Sequence, residues 1–218
     1  MTADRSTKHF DTIVVGAGMS GVAAARALAD AGHRVVVTGR SASRLAAVAE
    51  RAPGIEPVEA DATDLASMRD LATRLGSVDA VIPLVGGWRG GGGLAGQSDE
   101  DFAALLPALE AVRATSRAFD AALRASDAGR FAIVSSTAVA RPLAGGANYA
   151  AVKAASEAWA RAVAQGYAKA ARDADEPLRA ASVVFRAKAL DPEALAARVA
   201  ALWDEDAVEL NDQVFDLG

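Results

Sequence analysis

Tyr149 and Lys153 stand four residues apart, and Ser136 lies thirteen residues before the tyrosine, at the end of the apolar run Phe131-Ala132-Ile133-Val134-Ser135-Ser136. On a helix, positions i and i+4 share a face, so the phenol and the ammonium project together above the end of the preceding strand. An isolated tyrosine, with a pKa of about 10, is a poor acid or base at neutral pH, and a fixed cation nearby favours the phenolate. The Ser136 hydroxyl can hold a substrate oxygen beside the phenol. The three groups together suit moving a proton on or off an alcohol or carbonyl oxygen while another group moves the hydride. A Tyr-x-x-x-Lys pair also occurs in ordinary helices, where the tyrosine caps a core and the lysine is solvated. The elements on either side therefore decide its meaning.

Those elements alternate. The run Thr12-Ile13-Val14-Val15 ends in Gly16 and is followed by a helical pattern from Met19 to Ala31, which stops at Gly32. Val35-Val36-Val37 predicts a second strand, Ser41 or Ser43 caps a helix through Glu50, and a third strand spans Ile55 to Val58. A helix from Asp64 to Leu75, a strand from Ala80 to Val85, a glycine-rich loop from Gly86 to Gly96 and a helix from Asp99 to Ala125 lead to the strand that ends at Ser136. Beyond the helix bearing Tyr149 come a strand Ala181 to Phe185, a helix Pro192 to Trp203 and a last strand Gln213 to Asp216. This order predicts an α/β fold: a Rossmann-like, doubly wound, mainly parallel seven-stranded sheet with helices on both faces. With 218 residues the chain has room for one such domain, expected at 10–218 after a flexible tail at 1–9.

Gly16-Ala17-Gly18-Met19-Ser20-Gly21 fits G-x-G-x-x-G where the first strand turns into a helix. Gly16 permits the tight turn, Gly18 lets the backbone approach a pyrophosphate, and Gly21 allows close packing, while the helix N-terminus attracts the phosphate charge. After the second strand, where an acid would bind the adenosine ribose hydroxyls, the chain reads Thr38-Gly39-Arg40-Ser41. An arginine suits a 2′-phosphate by charge and fork geometry, so NADP(H) is favoured over NAD(H), with Arg34 and Arg44 as other available cations. Asp61, after the third strand, is placed to receive the adenine amino group or to serve as a helix cap with Thr63 and Asp64.

Composition narrows the alternatives. There is no cysteine, which excludes disulfides and thiolate chemistry, and only two histidines, His9 and His33, so no metal site is expected. The net charge of −5, with acids spread among bases, predicts neither DNA nor RNA binding. No apolar run approaches the roughly 18 residues of a membrane helix, and Met1 to His9 lack the apolar stretch of a secretion signal. A soluble, cytoplasmic protein acting on a small molecule is the expectation.

These segments in this order resemble the short-chain dehydrogenase/reductase family from about Asp11 to Gly218: the glycine turn, Asp61-Ala62, Val78 to Gly86, Ser135-Ser136, Tyr149-Ala-Ala-Val-Lys153 and Leu210-Asn-Asp-Gln-Val-Phe215. The resemblance implies that Tyr149 is the general acid/base, that Lys153 holds the nicotinamide ribose and depresses the tyrosine pKa, and that Ser136 orients the substrate oxygen. It extends the cofactor site to Gly16, Gly18, Met19, Ser20, Gly21, Arg40, Ser41, Asp61, Ala62 and Gly86, and implies a homodimer or homotetramer through the two long helices.

The departures from the family are specific. The family's Asn-Asn-Ala-Gly is here Pro83-Leu84-Val85-Gly86, the asparagine of its catalytic tetrad falls on Ala108, and its Pro-Gly and substrate lid are replaced by Phe185-Arg186-Ala187-Lys188-Ala189-Leu190. Trp88, Arg89 and Phe185 are the candidate substrate contacts, with the glycine-rich loop, or a partner subunit, as substitute cover. Two other readings remain: a noncatalytic NADP(H)-binding regulatory protein, or a non-redox enzyme, on the same fold. The opening Ile13 to Gly21 also resembles the FAD-binding start of flavin oxidases, which usually carry an acid where this chain has Gly39-Arg40.

Overall fold

The computed structural model describes residues 9–217. Of the expected tail, residues 1–8 lie outside the described residues, and the His9 ring packs its Nδ1 2.5 Å from the Gly32 carbonyl.

The strands are β1 (Asp11–Val15), β2 (Arg34–Gly39), β3 (Ile55–Glu59), β4 (Ala80–Pro83), β5 (Arg130–Ser136), β6 (Ala181–Ala187) and β7 (Val214–Leu217). They form one sheet in the order β3-β2-β1-β4-β5-β6-β7, every neighbouring pair parallel. The helices are α1 (Met19–Asp30), α2 (Ala42–Arg51), α3 (Leu65–Leu75), α4 (Asp99–Ala125), α5 (Ala147–Asp173), α6 (Pro192–Ala200) and the short α7 (Ala207–Leu210).

Alternation along the strands feeds two cores. Val14, Val35, Val37, Ile82 and Val183 pack with α1, α2 and α6; Ile13, Val36, Val81, Phe131 and Ile133 pack with α3, α4 and α5. Both faces are covered, which is why the strands are apolar on both sides.

Several boundaries differ from the expectation by one or more residues, the following three among them. β4 ends at Pro83, two residues early, because proline offers no N–H to a ladder. β6 instead runs two residues further, to Ala187, paired with β5 through Ser136–Ala187. The last helix ends at Ala200 and finishes as a 3-10 turn to Trp203.

The chain order reverses between β1 and β4, and β4 pairs with β5 only at Ala80–Arg130 and Val81–Phe131. Beyond those pairs the sheet opens at its carboxyl edge, where an open α/β sheet offers its crevice to ligands. Among the described residues no helix is long and apolar enough to cross a membrane, and no cluster of three or more His, Cys, Asp or Glu is placed to hold a metal.

Candidate active site

The opening is a cleft of about 1180 Å³ at the carboxyl ends of β4, β5 and β6. β5 delivers Ser136 to it. The serine also caps the turn that follows, its Oγ accepting from the Ala138 N–H at 3.2 Å. α5 starts at Ala147, so Tyr149 and Lys153 occupy its first two turns and face Ser136 across the cleft.

Lys153 Nζ donates to the Val134 carbonyl at 2.8 Å and sits 5.7 Å from the centre of the Tyr149 ring. Burial lowers the Lys153 pKa to about 8, with the negative charge of Glu157 pulling it back up. Glu157, one turn further along α5, receives the Arg186 guanidinium on both oxygens, Nε at 2.8 Å and Nη2 at 2.5 Å. Burial works to raise the Glu157 pKa, but the hydrogen bonds and charge of Arg186 outweigh it and hold the carboxylate ionised.

Tyr149 departs from expectation. Burial pushes its pKa above the usual tyrosine value, while a hydrogen bond with Ser136 acts in the opposite direction. The reason is local: Tyr149 packs on Leu105, Ala108 and Val152, an apolar patch that solvates a phenolate poorly. Ala108 is 7% exposed and presents only a methyl to this patch.

The glycine turn is sterically specified. A Cβ at Gly21 would lie 1.8 Å from the Gly16 carbonyl oxygen, and one at Gly16, whose φ is +129°, would lie 2.9 Å from the Leu84 carbonyl oxygen. At Gly18 a Cβ would meet nothing within 4 Å, so this backbone faces open space. Gly18 caps α1 without a side chain, and the first turn holds no acid, which leaves its N–H groups free for an anion. The turn thus fits a dinucleotide pyrophosphate.

At the adenosine end Arg40 is exposed and close enough to Asp61 to lower the carboxylate's pKa. That effect, with hydrogen bonds from the Thr63 N–H and hydroxyl, overcomes the raising effect of burial. Asp61 Oδ1 takes both Thr63 bonds, at 2.9 and 2.7 Å, while Asp64 is the actual cap of α3. Arg34 opens β2 at the opposite edge of the sheet, paired with Glu56 at 2.9 Å, which leaves Arg40 and Arg44, either side of the α2 cap, as the candidate cations here.

Ser20, Gly86, Tyr149 and Lys153 line the main cleft; Gly18 and Met19 line an adjoining groove of about 940 Å³ between α1, α2 and α6, which holds none of the acid/base residues. Arg40, Ser41 and Asp61 line neither, Ser41 serving as the cap of α2, and Ala62 turns its methyl into the core beneath α3.

Two candidate substrate contacts are corrected. Phe185 is 2% exposed and belongs to the core, beside Phe215, because its place in the β6 alternation points it under α6. Arg89 is absent from the cleft lining and lies 3.9 Å from Asp101; the arginine that lines the cleft is Arg141, on the segment between β5 and α5. Trp88 does line the cleft, at its rim.

Gln97 went unnoticed in the sequence. The two N–H donors of its Nε2 are shared among the carbonyls of Gly91, Gly93 and Gly145 at 3.0, 3.2 and 3.1 Å, and its Oε1 accepts from the Asn148 N–H at 3.1 Å. It latches the glycine-rich loop to the segment before Tyr149 and caps α5, which has no side-chain cap from Gly146. Neither Gln97 nor Arg141 carries a motif; only the Lys153–Glu157 spacing of i,i+4 was there to be read.

The sequence profile of the short chain dehydrogenase family matches residues 11–171. No curated protein matches the chain significantly. Among solved structures, the Pseudomonas aeruginosa RhlG/NADP active-site complex is 18% identical with a TM-score of 0.80, over 97% of this chain and 96% of that one. A protein from Shigella flexneri 2a, provisionally described as a short chain dehydrogenase and complexed with NADP, is 18% identical with a TM-score of 0.81, over 98% and 99%. A short chain dehydrogenase/reductase family protein is 23% identical with a TM-score of 0.79, over 98% of each chain. At these identities the likeness is one of fold.

Proposed function

The chain belongs to the short-chain dehydrogenase family, and from that membership we propose that it is an NADP(H)-dependent oxidoreductase interconverting a carbonyl and an alcohol on a small organic substrate. The observation that carries the reading is the meeting of Ser136, Tyr149 and Lys153 in one cleft that Ser20, from the glycine turn, also lines.

A bound nicotinamide nucleotide supplies or accepts the hydride at the substrate carbon. Ser136 and Tyr149 hold the substrate oxygen between their hydroxyls. In reduction Tyr149 gives that oxygen its proton, its phenol being protonated at neutral pH because burial holds its pKa above the ordinary tyrosine value. Lys153 spends one N–H on Val134 and has two left for ribose hydroxyls, while its charge offsets the phenolate that forms. With a methyl at Ala108, the proton returns to Tyr149 through water and backbone carbonyls.

The backbone of Gly16, Gly18, Met19, Ser20 and Gly21 would hold the pyrophosphate, Arg40 and Ser41 the 2′-phosphate, and Asp61 and Ala62 the adenine. Two structural neighbours hold NADP, which supports the choice of nucleotide. A homodimer or homotetramer through α4 and α5, in the cytoplasm, completes the proposal.

Ala108 favours one competing reading, a noncatalytic NADP(H)-binding protein. Titration with NADPH and NADH, followed by nucleotide fluorescence, and then a carbonyl-substrate screen separates the two. NADPH is expected to bind at least about tenfold tighter than NADH, with the preference erased in Arg40→Ala. Tyr149→Phe is expected to keep nucleotide binding and lose about 10²–10⁴ in turnover. Nucleotide binding with no carbonyl turnover would favour the binder. Binding of neither nucleotide would end the oxidoreductase reading.

A further inference from the structure

The charged residues lining the cleft are Arg141, Lys153 and Lys188, and no aspartate or glutamate lines it, although the chain carries 28 acids against 23 lysines and arginines. Lys153 is committed to Val134. Arg141 has no hydrogen-bond or ion-pair partner among the described residues, whereas Arg89, on the opposite loop, has Asp101. With Glu157 acting on Lys153, Arg141 and Lys188 are the lining cations with no lining carboxylate to neutralise them, and such a cleft attracts anions.

Position adds to charge. Arg141 lies five residues beyond Ser136 and eight before Tyr149, so the segment that connects these two groups also carries the guanidinium. The rim is apolar: Trp88 is 65% exposed and Leu143 70%, both lining the cleft, with Leu84 and Leu190 further in. Large apolar side chains left in water around a cleft mark the part of a ligand they are meant to cover. The latch at Gln97 holds the loop bearing Trp88 against the Gly145 segment, so this rim is a built wall.

Resting on the oxidoreductase reading, we infer that the substrate is a carbonyl or alcohol compound with an apolar body and an anionic end, a carboxylate or a phosphate monoester, and that Arg141 binds the anion. The guanidinium suits either group through two parallel N–H donors. Trp88 and Leu143 cover the apolar body, and Lys188 adds to the field without being the anchor.

The test pairs 4-oxo-4-phenylbutanoate with its methyl ester, and acetol phosphate with acetol, in NADPH oxidation by the wild type, Arg141→Ala and Arg141→Lys. The expected result is a kcat/KM for an anion at least tenfold above that of its neutral partner, a ratio falling to near one in Arg141→Ala and partly restored in Arg141→Lys. The two pairs distinguish carboxylate from phosphate. A neutral compound used as well as its anion by the wild type would overturn the inference, as would a loss of NADPH affinity in Arg141→Ala, which would assign the arginine to the nucleotide.

If no compound turns over, the redox reading is in question, and the anion site is tested by quenching of Trp88 fluorescence with Trp88→Phe as control. Saturable binding of 4-oxo-4-phenylbutanoate or acetol phosphate, absent for the neutral partners and lost in Arg141→Ala, would uphold the site. Binding of neither anion would overturn it. Circular dichroism melts confirm that the variants fold.

Discussion

The ammonium that serves the proposed chemistry works against the fold, since burial lowers the Lys153 pKa from 10.5 to about 8. The unfolded chain therefore binds more protons than the folded one between pH 8 and 10.5, and stability rises with pH across that window. Partial exposure discounts the effect, leaving a cost on the order of 1–3 kcal/mol at neutral pH. Lys153→Met is accordingly expected to raise the melting temperature at pH 7 by a few degrees, to flatten the rise in stability between pH 8 and 10.5, and to weaken NADPH binding. Melts at both ends of the window check this; a variant less stable than wild type at pH 7 would show that the Val134 hydrogen bond outweighs the burial. The sign for Tyr149 is opposite in consequence. Because its pKa is raised, carbonyl reduction should hold constant through neutral pH and fall only above the ordinary tyrosine range, while alcohol oxidation climbs with pH, as initial rates in each direction would record. The three side chains were legible because i,i+4 spacing and a strand end are local features. The direction of the Tyr149 shift was not, because Leu105 and Ala108 reach it from α4, distant in sequence, and close an apolar patch with Val152 of its own helix. Phe185 was misplaced for a related reason: a continuous apolar run does not say which face each residue takes.

Helices and strands were readable almost to the residue wherever caps punctuate them. Ser98 caps α4 by accepting from Asp101, and Asp64 caps α3 by accepting from Ala66 and Ser67. The glycine-rich connection between β4 and α4 resisted reading because its order comes from Gln97 and from close backbone approach. A Cβ at Gly90 would lie 2.4 Å from the Gly145 carbonyl oxygen, so only glycine lets the two loops touch. Four contacts meet at one amide, and all four partners are backbone groups that no pattern flags. Cutting them should release the cleft wall and fray the first turn of α5 together. Gln97→Ala is expected to cost about 1–2 kcal/mol in stability, and to lower kcat/KM about tenfold, mainly through KM, because Trp88 and the turn holding Tyr149 lose their mutual reference. Hydrogen exchange would show faster opening at 88–96 and 144–149. Unchanged exchange at 144–149 would confine the latch to the loop and remove its role in placing the tyrosine. Gln97→Glu separates geometry from charge: it keeps the acceptor for Asn148 and loses the amide donors to the three glycine carbonyls.

At the scale of the whole molecule, the switch of strand order between β1 and β4 brings the glycine turn beside the Ser136–Tyr149–Lys153 cleft. A core on each face of the sheet holds both in place. The far end is closed by Arg130, whose guanidinium donates to the carbonyls of Leu202 at 2.7 Å and Glu205 at 3.0 Å, tying the last turns back to β5. β6 passes to α6 through only four residues, so no long lid covers the cleft from that side. Rigidity at the site then depends on α5, which carries Tyr149 and Lys153 and packs on the sheet by one face only. Its other face exposes Ala151, Ala155, Ala158 and Ala162 on successive turns. Alanines lose no side-chain entropy on burial and let helices approach closely, so pairing α5 with its counterpart in a second copy would stiffen the catalytic helix at little cost. In a two-fold interface a residue near the axis meets its own copy, and a charge placed there opposes itself. Wild-type protein is expected to scatter light as two or four chains, and Ala158→Glu as a single chain with an unchanged circular dichroism spectrum and reduced carbonyl turnover. A wild type that stays monomeric at high micromolar concentration would remove the assembly from the proposal and leave the alanine face as ordinary helix surface. An assembly that survives Ala158→Glu would place the contact on another face of α5 or on α4, where Phe102 is 38% exposed.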